Sequence, residues 1–200
     1  MELKKNFLNQ FGKPTGNFGT LVGLLMSLKN KDRALWTFEN LKLKPDDIVL
    51  EVGFGPGSTI KKVADNLTTG FIAGIDHSEV MLEQATKRNK KHIERNTAKL
   101  ECGTVWDLKY SDNYFDTIFG SNVHFFWDNP VNEFKKLVSL LKSNGRLVMV
   151  FQPRWTKNEE EVIQVAENTK KQFEDSGLKN IEYDFKKMKP VNCIYISGQK

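Results

Sequence analysis

The 200-residue chain is short of most features that assign a protein to a special class. It has two cysteines, Cys102 and Cys193, far apart and in no CxxC pair. That excludes a disulfide framework and suggests reduced thiols in an intracellular protein. Its three histidines are dispersed, and no Cys/His cluster has ligand spacing, so no metal site is expected. No long hydrophobic run is present. The most apolar stretch near the start, LVGLLMSL at 21–28, is too short to span a bilayer. The opening residues MELKKNFLNQFGKPTG lack the apolar core of a signal peptide, and a cytoplasmic location is expected. There is no repeat or low-complexity tract. Nor is there a strong excess of one charge: the net value is +5, from lysines scattered over helix faces, so a nucleic-acid partner is not expected. What is present is an ordinary globular composition, 39% hydrophobic and 28% charged, in a chain long enough to bury a full core.

The first forty-odd residues differ from the rest. Gly12, Pro14, Gly16 and Gly19 precede the apolar run, and a second segment, KDRALWTFENLKL, follows it. There Ala34, Leu35, Phe38 and Leu41 recur at spacings of three and four, which predicts a helix with Asn30 as its N-cap. Residues 1–44 are therefore expected to form a helical extension. Phe7, Phe11, Phe18 and Trp36 make it too apolar for a loose tail, and it is expected to lie over a ligand as a lid.

From residue 48 strands and helices alternate. Strands are expected at 48–52, 71–75, 99–102, 115–120 and 146–151, with helices at 58–66, from Ser78, from Pro130 to a close at Asn144-Gly145, and at 159–173. Residues 45–200 thus predict an α/β domain: a doubly wound, mostly parallel, seven-stranded sheet with helices on both faces. The last two strands, near 181–185 and 191–196, are joined by the short KKMKP link. They must pair antiparallel or leave the sheet. Such sheets bind ligands at the carboxyl ends of their strands, where the winding reverses.

The loop after the first strand reads Glu51-Val52-Gly53-Phe54-Gly55-Pro56-Gly57-Ser58. Glycines there admit positive φ and close approach of a ligand to the backbone. A dinucleotide fingerprint would need a third glycine at Ser58, and no Gly-Lys-Ser/Thr of a P-loop follows. Asp76 ends the second strand, nineteen residues after Gly57, where a carboxylate can accept from both hydroxyls of a ribose. The competing reading of Asp76 is a helix N-cap, a position for which Ser78 also competes.

VLEVGFGPG, GIDHSEVML, YFDTIFGSNVHFFWDNP and LLKSNGRLVMV, in that order, resemble the successive motifs of class I S-adenosylmethionine-dependent methyltransferases over about residues 46–151. The likeness is to the group that includes the ubiquinone and menaquinone C-methyltransferases. It implies S-adenosylmethionine as cofactor and a small-molecule acceptor. It further implies that Glu51, Gly53, Gly55 and Gly57 line the methionine and ribose part of the cofactor and that Asp76 holds the ribose. His77 or Met81 would pack on the adenine. Thr104 stands where many relatives carry an adenine-binding aspartate, which leaves the Val105 amide as a substitute. Ser121 and Asn122 would face the methionine end and the substrate. His124 is a candidate for proton transfer or for a structural place, and Phe125, Phe126 and Trp127 for a wall near the sulfonium or for core. Methyl transfer needs mainly in-line positioning, so no catalytic triad is required. An RNA methyltransferase is less favoured, because Ser-Asn-Val-His replaces Asn/Asp-Pro-Pro-Tyr and no Pro-Cys nucleophile motif occurs. A non-catalytic cofactor-binding protein of the same fold stays open.

Overall fold

The computed structural model describes residues 31–200. The glycines of the extension, the apolar run at 21–28 and the expected cap Asn30 lie outside them. The first described element is helix α1 (Lys31–Leu41). Then β1 (Ile48–Val52), α2 (Ser58–Ala64), β2 (Phe71–Asp76), α3 (Glu79–Glu94) and β3 (Ala98–Cys102) alternate. They are followed by β4 (Phe115–Ser121), α4 (Pro130–Leu140), β5 (Leu141–Phe151), α5 (Glu159–Asp175), β6 (Lys179–Lys186) and β7 (Cys193–Gln199).

The strands form one seven-stranded sheet in the order β3-β2-β1-β4-β5-β7-β6. The first five are mutually parallel, while β7 runs antiparallel between β5 and β6. The winding moves outward from β1 to β3, then returns to the other side of β1 with β4. The crevice between the β1 and β4 loops is therefore the switch point of the sheet.

Alternation along each strand divides the core in two. Leu50, Val52, Ile75, Ile118, Met149 and Phe151 face Phe134 and Leu137 of α4 and Val162 and Phe173 of α5. Val49, Ile72, Phe119, Val148 and Cys193 face Leu41 of α1, Ile60 and Val63 of α2, and Met81 and Ala85 of α3. Each of these large side chains contributes about 1.5–3 kcal/mol relative to exposure. The sheet's edges are its most polar strands. On β3, Lys99 and Glu101 pair at 3.1 Å, and β6 exposes Lys179, Glu182 and Asp184.

Helix starts follow local chemistry. Ser78 caps α3 by accepting from the Met81 amide. Asn129 caps α4, which has Pro130 in its first turn, and Asn158 caps α5 ahead of Glu159, Glu160 and Glu161. Two expectations shift. First, α4 ends at Leu140, not at Asn144-Gly145. The chain enters β5 directly at Leu141, opposite Phe115, and 142–145 bulge out before Arg146 pairs with Thr117. Asn144, at φ 65°, turns that bulge rather than closing a helix. Second, the buried residues of α1 are Arg33, Thr37 and Leu41, four apart, while Ala34, Leu35 and Phe38 are only half-buried.

Among the described residues no helix is long and apolar enough to cross a membrane. Among the same residues no group of three or more His, Cys, Asp or Glu is placed to hold a metal.

Candidate active site

The three glycines after β1 all have positive φ, at 74°, 51° and 72°, but they do different things. A Cβ on Gly53 would sit 3.0 Å from Val123 Cγ2, so this glycine lets the β1 and β4 loops touch. A Cβ on Gly57 would lie 2.7 Å from both Ala85 Cβ and Asn89 Nδ2, so this glycine lets α3 pack under the loop. Asn89, fully buried, donates to the Gly57 and Ala85 carbonyls. A Cβ on Gly55 would meet nothing within 4 Å. Only at this glycine of the three does the loop border open space.

Asp76 holds the loop from the neighbouring strand. Its Oδ2 accepts from the Gly55 amide at 2.8 Å and its Oδ1 from the Ser78 amide at 3.0 Å. Ser78 takes the capping position, which leaves the lone pairs of Asp76 not used by these amides for an outside donor. Burial raises its pKa, while the two amides and His77 oppose that rise. His77 lies half-exposed, 3.7 Å from Asp76. Met81, one turn into α3, is buried in the core facing α1, α2 and α3.

Glu51 is 2% exposed at the end of β1 and accepts hydrogen bonds from the Thr59 side chain and the Ile60 amide in the first turn of α2. Burial, and next the Asp76 carboxylate, push its pKa well above the usual carboxylate range. Its Oε2 is buried without a partner.

After β3, a 3-10 turn (Val105–Asp107) is closed by a capping box. Thr104 Oγ1 donates to Asp107 Oδ2 at 2.8 Å and accepts from the Trp106 amide. The Thr104 hydroxyl thus serves the turn itself, and the box does not use the Val105 amide. Trp106 beside it is 57% exposed.

At the end of β4, Ser121 accepts from Arg33 Nε at 3.2 Å. Asn122 turns toward β5, where its Oδ1 accepts from the Gln152 amide at 2.9 Å. His124 begins a second 3-10 turn (His124–Phe126) and is 4% exposed. Its ring lies 4.4 Å from Phe151 and close to Phe125 and Phe134, and its Nδ1 has no partner. Burial lowers its pKa to about 3, so it is neutral at physiological pH. Trp127 packs edge-on against Phe134. Phe125 bridges Phe126 and Trp155, at 4.9 and 5.0 Å, and these two are half-exposed.

The model of a methyltransferase domain family matches residues 49–145, which span the glycine loop, Asp76, the β3 turn and the β4 loop. Over 181 residues, 90% of this chain and 98% of the other, the sequence is 25% identical to the uncharacterized methyltransferase YdaC of Bacillus subtilis. The chain is a class I S-adenosylmethionine-dependent methyltransferase. This methyltransferase also matches the demethylmenaquinone methyltransferase of Symbiobacterium thermophilum, at 33% identity over 38% of this chain and 30% of that one. So short a match carries little weight for a shared acceptor. Its fold is that of phosphoethanolamine N-methyltransferase 2 from Haemonchus contortus, solved with S-adenosylhomocysteine and phosphomonomethylethanolamine. The TM-score is 0.68 at 14% identity, over 84% of this chain and 52% of that chain, so it spans about half of that protein.

The residues present fit the methyltransferase's cofactor on three counts: the open space beside Gly55, the part-used carboxylate of Asp76 and the orphaned oxygen of Glu51. Of the residues picked from sequence, Glu51, Gly53, Gly55, Asp76 and Ser121 gather around the switch point. Gly57, Met81, Asn122 and His124 are engaged in packing or in holding loops. Sequence reasoning passed over Arg33 and Trp155. Arg33 carried a signal, since it stands in line with Thr37 and Leu41 on one helix face. Trp155 carried none.

Proposed function

We propose that the protein methylates a small, apolar acceptor resting against Phe125, Phe126 and Trp155 at the carboxyl ends of β4 and β5. The observation behind this is the aromatic group itself: two of its three rings stand half-exposed beside the switch point instead of closing into the core. Flat apolar rings favour an acceptor of like character and help keep water from the reacting centre.

Bound S-adenosylmethionine supplies a methyl group already activated by its sulfonium. The protein's part is then to bind and to aim. In this reading Asp76 holds the ribose hydroxyls, with its carboxylate aligned beforehand by the Gly55 and Ser78 amides. Gly55 gives the donor backbone contact without a side chain in the way. His77 and the Val105 amide serve the adenine, and Met81, the alternative to His77, backs the loop from the core. Ser121 and Asn122 shape the methionine end. His124, neutral and enclosed by phenylalanines, sets the floor under the aromatic group and moves no proton. Residues 1–44 act as the cover of this crevice.

Methyl-labelled S-adenosylmethionine incubated with the protein and a cell extract tests the acceptor class. Label is expected in a small molecule that partitions into organic solvent. Label confined to the RNA fraction would defeat the proposal.

A further inference from the structure

Of the lysines and arginines described, only Arg33 is buried, at 4% exposure. A buried cation is costly unless an anion offsets it. Among the described residues Arg33 makes no ion pair. Its Nε donates to a neutral hydroxyl, Ser121 Oγ, at 3.2 Å. Its charged surroundings make matters worse. Desolvation brings its pKa down to about 10, and Arg154 opposes its charge. Cys193, the one group acting the other way, is itself a thiol pushed up to about 11 by burial. Neither buried acid of the crevice pairs with it: Asp76 accepts from the Gly55 and Ser78 amides, and Glu51 from Thr59 and the Ile60 amide. With Nε engaged, the two terminal nitrogens of the guanidinium present the fork that suits a carboxylate.

Position tells which carboxylate. Ser121 continues β4 two residues beyond Phe119, the partner of Glu51 on β1. Glu51, Phe119 and Ser121 share one face of the sheet, the face covered by α1, α2 and α3. Strand geometry separates the Glu51 and Ser121 backbones by about 8 Å on that face. The backbone that carries the partnerless Glu51 oxygen and the one whose Ser121 hydroxyl receives the Arg33 guanidinium thus stand about an amino acid's width apart. The aromatic group proposed for the acceptor packs with the opposite core.

We infer that Arg33, steadied by Ser121, grips the α-carboxylate of the methionine end of S-adenosylmethionine, opposite Glu51, which takes the α-ammonium. The inference rests on the S-adenosylmethionine reading of the crevice. It gives α1 a direct hold on the donor, so the extension takes part in binding through a residue of its own.

Calorimetric titration with S-adenosylmethionine and with its decarboxylated analogue tests this, because the two ligands differ in the carboxylate alone. Wild-type protein is expected to prefer the intact donor by about 10- to 100-fold. In Arg33→Gln that ratio falls toward one, because affinity for the intact donor drops while the analogue binds as before. Arg33→Lys keeps part of the preference. A ratio in Arg33→Gln equal to the wild-type ratio overturns the inference, as does an equal loss of both ligands, which would mark Arg33 as a packing residue. Wild-type protein that binds neither ligand overturns the donor reading of the crevice, and the inference with it.

Discussion

Gly55 and Gly57 stand two residues apart in one loop, both at positive φ, yet alanine at the two positions should fail in different ways. Both have φ in the left-handed region, +51° and +72°, so either substitution carries about 1–2 kcal/mol of backbone strain. At Gly55 nothing is added, because the new methyl meets no atom within 4 Å. At Gly57 the methyl would press to 2.7 Å on Ala85 Cβ and Asn89 Nδ2 and to 2.9 Å on the Ala85 backbone. Overpacking of that kind costs about 1–3 kcal/mol more. Gly57→Ala is therefore expected to lose about 2–5 kcal/mol, or about 4–20 °C in Tm, against about 2–8 °C for Gly55→Ala. Binding should run the other way. Gly55→Ala puts its methyl into the space assigned to the donor and should weaken S-adenosylhomocysteine by about tenfold or more. Gly57→Ala, where it is folded, should bind within a few-fold of wild type. Urea unfolding and calorimetry on the two variants decide it. Equal stability of the pair would refute the packing role of Gly57, and full affinity in Gly55→Ala would show that the open space is not where the donor lies.

Asp76→Ala should weaken S-adenosylhomocysteine by about 1.5–3 kcal/mol for each charge-assisted ribose bond lost, read by calorimetry on protein whose circular dichroism is unchanged. His124 is neutral when folded and titrates near 6.5 when unfolded, so the unfolded chain binds the extra proton as pH falls below 6.5. Its contribution to stability is thus complete above pH 6.5 and shrinks by up to about 1.4 kcal/mol per unit toward pH 3. His124→Leu should narrow its stability gap to wild type on going from pH 7 to pH 4.5 in urea titrations, and a constant gap would contradict a buried neutral imidazole. Glu51 works with the opposite sign. Its raised pKa keeps a proton on the free protein above the usual carboxylate range, and an arriving ammonium should expel it. Donor binding should then release protons and strengthen with rising pH. Equal calorimetric heats in buffers of different ionisation enthalpy would count against that, and Glu51→Gln should abolish the release.

The inner parallel strands β1 and β2 were readable because they are short runs of β-branched and apolar residues ending at a glycine or a carboxylate, as in IVLEV before Gly53 and FIAGID. The antiparallel close was forced by the shortness of the link before β7. What the sequence hid was tertiary. Gly55 and Gly57 look alike in the chain, and only the approach of Ala85 and Asn89 separates their roles. Asn144-Gly145 reads as a helix stop, but the pairing of Leu141 with Phe115 draws the chain into the sheet four residues earlier. His124 sits where a substrate-facing group is expected, yet Phe125, Phe134 and Phe151 close around it. Arg33 was masked by the half-apolar look of its helix. A charge on a buried face becomes visible only when the sheet lies against it.

The polar edges of the sheet bear on how this protein behaves in a crowded solution. An outermost strand carries unmatched backbone donors and acceptors that another molecule's strand can join, and in a seven-stranded sheet both margins run that risk. Here one margin is interrupted by the Lys99–Glu101 pair and the other by Lys179, Glu182 and Asp184. An incoming strand would have to desolvate those charges to zip up. Replacing Lys99 and Glu101 with valine would remove both charges from the β3 margin. It would also turn the β3 margin into a template for fibrous self-association. These charges act on colloidal behaviour, a property set at the margins of the sheet and not at its switch point.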